Sequence, residues 1–371
     1  MKKNYLMFLG ISMSLLSYSQ HVSKTMQHGG LSRQYLEYVP QVYDGSSSVP
    51  LLICLHGLGD NMNNFKNIRM DAIADTANFI VLTPQAQSSV LGTAWNSGAS
   101  MSGMQLNENV DDIGFIISLI DSTSALYNID PARVYLTGFS MGSFMCHRMA
   151  CERTDRIAAI ASVAGTIGSA LQCSPSRPMP VIHFHGTADG TIAYSGNQYG
   201  MDVDTLLHYW VGVNNCNAVP IHSEIPDIAA DGFTVDHYLF GNGNAGSNVE
   251  HYKVNGAGHQ WIYHPAHDID YSSLIWNFLS KQRLTQLNVG SESFNSIEVF
   301  PNPNSGFLQL KLTGEPYEIA IFSVDGRLIS FQMVNEKEHV VDMTNMSHGF
   351  YVIHAKNLNS GVVSKSKILK N

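Results

Sequence analysis

Short apolar runs of strand length recur between about His28 and Arg283, with helical stripes between them. Leu51–His56, Phe79–Thr83, Val134–Thr137, Ile157–Val163 and Val181–His185 are nearly unbroken hydrophobic stretches, the pattern of strands buried on both faces. Asn109–Tyr127 instead carries Val110, Ile113, Ile117 and Ile120 at helical spacing, and Ser143–Cys151 reads as another helix. A further strand is expected at Val249–Val254. Strands alternating with helices predict an α/β fold, a mostly parallel sheet with helices on both faces. In such sheets functional groups gather in loops at the carboxyl ends of the strands.

The pattern changes at both ends. Lys2 and Lys3 precede a short apolar segment, Leu6–Leu16, and Ser17-Tyr18-Ser19 offers small residues at the positions a signal peptidase reads. Residues 1–19 are therefore expected to be a signal peptide, with Gln20 the new N-terminus. Residues 284–296 are polar and rich in Ser and Asn and read as a linker. Beyond it, period-two alternation over Phe307–Leu312, Tyr317–Phe322, Leu328–Met333, Phe350–His354 and Val362–Leu369 is broken by turn residues such as Asp325-Gly326. That predicts a small all-β sandwich over 297–371 and leaves 20–283 as the α/β domain.

Composition narrows the partners. At 371 residues with 44% hydrophobic and 14% charged residues, the chain can bury a sizeable core, which excludes general disorder. Acidic residues outnumber basic ones, 30 to 21, and no cluster of Lys and Arg suits a nucleic acid. No apolar run reaches the roughly 18 residues a membrane-spanning helix needs. From Ile297 onward seven Lys and Arg balance seven Asp and Glu; setting Lys2 and Lys3 aside, the rest holds 12 basic and 23 acidic residues. The two folded parts are thus electrostatically different. Of the five cysteines, Cys54 lies in an apolar strand and reads as a buried thiol, while Cys173 and Cys216, in polar loops, are the expected bridge. No CxxC pair suggests zinc.

The chemistry centres on Gly138-Phe139-Ser140-Met141-Gly142, between a predicted strand and a predicted helix. A serine on such a sharp turn exposes its hydroxyl above the sheet, and the flanking glycines give the turn room. Serine is a poor nucleophile without a base, and the base needs an orienting carboxylate, expected in the chain order Ser, acid, His. Asp189 lies just past the strand Val181–His185, whereas Asp202 and Asp204 begin a helical stretch and read as caps. His259 sits in the glycine-rich loop Asn255-Gly256-Ala257-Gly258-His259, which can carry an imidazole over the nucleophile. His183 and His185, two apart on a buried strand, read as locally hydrogen-bonded. His264 and His267 with Asp268 form a metal-ligand alternative of weak spacing. The tetrahedral oxyanion needs two backbone donors, expected from Met141 and from Leu58 in Leu55-His56-Gly57-Leu58-Gly59-Asp60.

These motifs, with Ala94-Trp95-Asn96-Ser97-Gly98, Asn109-Val110-Asp111-Asp112, Gly186-Thr187-Ala188-Asp189 and Gly258-His259-Gln260-Trp261, resemble secreted α/β-hydrolases of carbohydrate esterase family 1. That group includes feruloyl and acetylxylan esterases and relatives of polyhydroxybutyrate depolymerases. The resemblance implies the same triad, Ser140, Asp189 and His259, helix caps at Asp111 and Asp112, and Trp95 and Trp261 either walling the acyl pocket or packed beneath it. The tail resembles the C-terminal sorting domain of the type IX secretion system. Its matching residues are Phe300-Pro301-Asn302-Pro303-Asn304-Ser305-Gly306, Ile321-Phe322-Ser323-Val324-Asp325-Gly326-Arg327, Gly349-Phe350-Tyr351-Val352 and the basic ending Lys365–Lys370.

The expected protein is an α/β-hydrolase followed by a β-sandwich: a secreted or surface-attached serine carboxylic-ester hydrolase needing no metal or organic cofactor. Its partners would be a polysaccharide-linked ester and the type IX secretion machinery. A polyhydroxybutyrate depolymerase is the alternative substrate reading. A peptidase of the prolyl-oligopeptidase kind would need a larger partner domain, and a catalytically silent adhesion protein would typically lack a triad member.

Overall fold

The structure, a computed structural model, describes residues 20–101, 103–284, 298–323 and 328–371. The expected signal peptide (1–19), all of the expected linker except Leu284, and the Asp325-Gly326 turn lie outside the described residues. The chain divides into two compact units, 1–285 and 286–371.

The first unit is built on ten strands: β1 (Val22–His28), β2 (Leu31–Tyr38), β3 (Val49–Leu55), β4 (Ile80–Pro84), β5 (Ile129–Phe139), β6 (Ala159–Val163), β7 (Val181–Gly186), β8 (Ile221–Ile225), β9 (Thr234–Phe240) and β10 (Val249–Asn255). They lie in the order β1-β2-β4-β3-β5-β6-β7-β10-β9-β8. The six central strands, β4 to β10 in that order, pair in parallel, and antiparallel strands close each edge. The central strands are those with unbroken apolar runs. The edge strands are more exposed: β1 alternates between exposed and half-buried residues, and β8 is mostly exposed, as expected where only one face is covered.

Helices α1 (Met62–Phe65), α2 (Met70–Ala77), α3 (Asp112–Leu126), α4 (Met141–Glu152), α5 (Val203–Asn214) and α6 (Tyr271–Leu279) accompany this sheet. Alternate residues of β3 feed two cores. Leu51, Ile53 and Leu55 pack with Ile116 and Leu119 of α3, Met145 of α4 and Trp210 of α5. Leu52 and Cys54 pack with Met70 of α2 and Ile275 and Phe278 of α6. Asp202 caps α5 by accepting from Thr205 N at 2.8 Å, and Asp111 caps α3 by accepting from Gly114 N at 2.8 Å. Asp112 is no cap. It is buried, paired with Arg33 at 2.6 Å, and accepts the Asn96 amide at 2.7 Å, so it ties the loop before α3 to β2.

The cysteines correct the sequence reading. Cys151, in the last turn of α4, bonds to Cys173, while Cys216 keeps a thiol directed at Ser247 O, and Cys54 and Cys146 are buried and free. The side chain that meets Cys173 comes from a helix end, which composition alone does not mark as a loop partner.

The second unit holds two antiparallel sheets. One is β11 (Glu298–Phe300), β12 (Phe307–Lys311) and β15 (Glu338–Asp342); the other is β13 (Tyr317–Ser323), β14 (Leu328–Val334), β16 (Gly349–Asn357) and β17 (Val363–Lys370), ordered β14-β13-β16-β17. Leu308, Leu310, Ile319, Ile321, Val341, Ile353 and Ile368 fill the space between them, the predicted β-sandwich. Among the described residues no helix is long and apolar enough to cross a membrane.

Candidate active site

The turn between β5 and α4 holds Ser140 at φ 53° and ψ −121°, a left-handed conformation unusual for a residue with a Cβ. Close packing enforces it. Ser140 N donates to Val163 O at 2.9 Å, and a Cβ on Gly142 would stand inside the contact radius of Leu55 O. α4 and β3 can therefore approach only with glycine there, and the turn lifts Ser140 into a cavity above the strand ends.

Asp189 follows β7, and His259 follows β10, the parallel neighbour of β7. Their loops are tied together: Ala188 N donates to Ala257 O at 2.9 Å and Gly256 N to Thr187 Oγ1 at 2.9 Å. Asp189 Oδ1 accepts from the amides of Thr191 and Ile192, both at 2.8 Å, and Oδ2 accepts from His259 Nδ1 at 2.7 Å. Burial pushes the Asp189 carboxyl up, but the His259 hydrogen bond, the imidazole's charge and the two amides outweigh it and hold it below the usual carboxylate value. With its Nδ1–H committed to Asp189, His259 has Nε2 free to accept a proton. Its ring lies 4.7 Å from that of Phe139 and borders the same cavity as Ser140. Among the described residues Ser140 Oγ makes no hydrogen bond to His259, a looseness common before substrate arrives.

The loop expected to supply an oxyanion donor is held by a histidine to which the sequence reading gave no role. Buried His56 donates Nδ1–H to Gly57 O at 2.8 Å, while its Nε2 accepts from the Ala86 amide at 3.1 Å. Burial pushes this imidazole down, keeping it neutral as that pattern requires. Gly57 C=O and Leu58 N–H share one trans peptide and point in opposite directions, so the Leu58 amide is turned away from the His56 ring. Neither Leu58 N nor Met141 N donates to an acceptor among the described residues, and both residues line the cavity with Ser140.

That cavity has a volume of about 290 Å³ and a mainly apolar wall that includes Leu91, Leu106, Phe144, Ile192 and Tyr199. None of these was read as a lining residue: Leu91, Leu106 and Tyr199 come from loops away from Ser140, Asp189 and His259 in sequence, and which way Phe144 and Ile192 face depends on the folded loops. The tryptophans take the packing alternative. Trp95 has no exposed surface and donates to His56 O at 2.9 Å, beneath the oxyanion loop. Trp261 packs edge-on against Phe65 and Phe139 and donates to Ser272 Oγ at 3.2 Å, outside the cavity wall.

Another serine–histidine pair is closer. Ser162 Oγ lies 2.7 Å from His183 Nδ1, but both residues have zero exposure on adjacent strands β6 and β7, where no substrate can reach them. The His264 and His267 group is likewise used locally. His267 Nδ1 lies 2.6 Å from Asp231 Oδ2, and Asp268 accepts the amides of Ile228 and Ala229.

Residues 42–219 match the Phospholipase/Carboxylesterase model, and residues 298–371 match the secretion system C-terminal sorting domain. The first unit is an α/β-hydrolase by its sheet order, and over residues 42–219 it is similar to phospholipases and carboxylesterases. This hydrolase is joined to a type IX secretion sorting domain, which directs the chain out of the cell or to its surface. A bifunctional acetylxylan esterase/xylanase of Neocallimastix patriciarum is 27% identical over 68% of this chain and 34% of that protein. Feruloyl esterase B of Piromyces equi is 27% identical over 61% of this chain and 42% of that protein. Poly(3-hydroxyalkanoate) depolymerase C of Paucimonas lemoignei is 25% identical over 70% and 66%. The chain thus spans 34% and 42% of the first two relatives. An acetyl xylan esterase structure from Aspergillus awamori superposes with a TM-score of 0.51 at 16% identity, covering 69% of this chain and 99% of that one, and shows the shared fold.

Proposed function

We propose that the protein is a secreted serine carboxylic-ester hydrolase, with Ser140 the nucleophile, His259 the base and Asp189 the acid. Its domains are the hydrolase over 20–283 and the sorting domain over 297–371. The observation that carries this reading is the 2.7 Å Asp189–His259 bond beside the cavity that also holds Ser140. Ser140 Oγ attacks the ester carbonyl while His259 Nε2 takes its proton, and the amides of Leu58 and Met141 receive the developing oxyanion. His259 then protonates the departing alcohol, leaving an acyl-serine. Water, giving a proton to His259, attacks that ester and releases the carboxylic acid, and the proton returns to Ser140.

The cavity supports a bulky, largely apolar acyl group, since an acetyl group would leave most of about 290 Å³ unfilled. We assign it to aromatic acyl esters of plant or algal polysaccharides. A second reading, polyester depolymerisation, draws on the exposed apolar residues Leu58 and Leu91 at the mouth, which suit an apolar polymer surface. A panel of methyl ferulate, acetylated xylan, nitrophenyl butyrate and polyhydroxybutyrate film separates these readings. Methyl ferulate should show the highest kcat/KM, and Ser140→Ala should lose about 10⁶-fold in kcat on every ester turned over. Preference for the film favours the second reading. Full activity of Ser140→Ala contradicts both.

A further inference from the structure

A run of buried polar side chains leads from the middle of the sheet to the loop that carries Asp189. Ser162 Oγ lies 2.7 Å from His183 Nδ1, His183 Nε2 lies 3.1 Å from His185 Nδ1, and His185 Nε2 lies 2.7 Å from Ile192 O. The same His185 nitrogen stands 3.5 Å from Asp189 Oδ2, the oxygen that receives the His259 bond. All of these side chains but that of His259 are buried.

One acceptor, with both rings neutral, fixes every proton in the run. A carbonyl oxygen cannot donate, so His185 must carry its proton on Nε2 to bond Ile192 O. Its Nδ1 is then a lone pair and must accept from His183 Nε2–H. The His183 Nδ1 is in turn a lone pair and accepts the Ser162 hydroxyl proton. Both rings are neutral in this arrangement, the form that their burial favours. The remaining neighbours agree: His251 gives its Nδ1–H to His183 O at 3.1 Å and accepts from Tyr194 OH at 3.0 Å, so it too is neutral. Burial pushes His183 and His185 down, and the neighbouring imidazoles add to it for His183.

Resting on the triad reading above, we propose that His185 is a positioning residue for the acid, holding the 189–192 turn through Ile192 O at the end of a Ser162–His183–His185 relay with a single proton arrangement. The consequence is mechanical as well as electrostatic. Asp189 Oδ1 is held by the Thr191 and Ile192 amides, so anchoring the Ile192 carbonyl fixes the peptide frame that aims Oδ2 at His259. Ile192 also borders the cavity, so the same anchor sets one wall of the site. The neutral Nε2–H faces Asp189 without competing for its charge.

The direct test uses the full mature chain labelled with ¹⁵N-histidine. At pH 7 the long-range ¹H–¹⁵N patterns of His183 and His185 should be those of neutral Nε2–H rings. A charged His185, or one protonated at Nδ1, overturns the proposal, and this measurement needs no substitution that must fold. The functional arm is His185→Phe, which keeps a ring but removes the donor to Ile192 O. It should lower kcat about 10- to 100-fold with KM changed less than about threefold, and shift the low-field proton resonance of the Asp189–His259 bond. His185→Gln, which restores an N–H near the Nε2 position, should recover part of the loss. A folded His185→Phe with unchanged kcat and an unchanged low-field resonance overturns the positioning role. Ser140→Ala run alongside separates the outcomes: if it stays active, the triad reading has failed, whatever His185 does.

Discussion

Ser140 and Asp189 show how far two residues can be specified by backbone rather than by their own side chains. Ser140 is held at φ 53° by the strand and helix on either side, so its hydroxyl is presented by the backbone, with no side-chain hydrogen bond to hold it among the described residues. Asp189 spends one oxygen on two amides and leaves the other for His259. In Asp189→Asn, the amide group can still occupy the site, but its NH₂ can face Nδ1 and favour the wrong imidazole tautomer. The expected result is a folded protein whose kcat falls about 10⁴-fold, checked by steady-state kinetics with near-ultraviolet circular dichroism as the control for folding. A folded Asp189→Asn with more than a tenth of normal kcat would remove Asp189 from the proposed triad.

The nucleophile turn depends on glycine at the crossing of α4 and β3. Gly142→Ala puts a Cβ against Leu55 O, a backbone atom that cannot swing aside, so β3 and the oxyanion loop that follows it must shift. The expected effect is a loss of several kcal/mol in stability and of most activity, measured by urea denaturation and ester hydrolysis. Normal stability would mean that the turn is looser than this packing implies. At this scale the sequence was informative wherever local pattern decides structure. The unbroken apolar runs marked the central strands, and the glycine–serine turn and the acid and base loops fell at their carboxyl ends. Contacts made across the fold were not legible. The Cys151–Cys173 bridge joins a helix end to a loop, the Arg33–Asp112 pair joins β2 to α3, and the role of His56 depends on which way one peptide faces. The edge strands β1, β2, β8 and β9 were missed because alternation on a half-covered strand is a weaker signal than a continuous apolar run.

For the whole molecule, the buried histidines make folding sensitive to mild acid. Burial pushes His147 and His251 down to about 3, and His183 well below its usual value. In the unfolded chain these rings take up protons near pH 6.5, so below that pH the unfolded state binds more protons than the folded one. Stability is then fully present above about pH 6.5 and falls as the pH drops toward 3, at about 1.4 kcal/mol per pH unit for each ring. All four tryptophans, Trp95, Trp210, Trp261 and Trp276, lie in the first unit, so their fluorescence reports its unfolding alone. The urea midpoint should fall steeply between pH 7.5 and 5; a flat profile would mean that the imidazoles charge without unfolding. The hydrolase and the sorting domain are separate compact units, so the chemistry rests on the first. Its central claim is tested most directly by treating the full mature chain with a fluorophosphonate, taking the intact mass and mapping the modified peptide. The account predicts one adduct, on Ser140, absent from Ser140→Ala and reduced in rate in Asp189→Asn. An adduct on Ser162, or an unmodified chain that still hydrolyses esters, would contradict it.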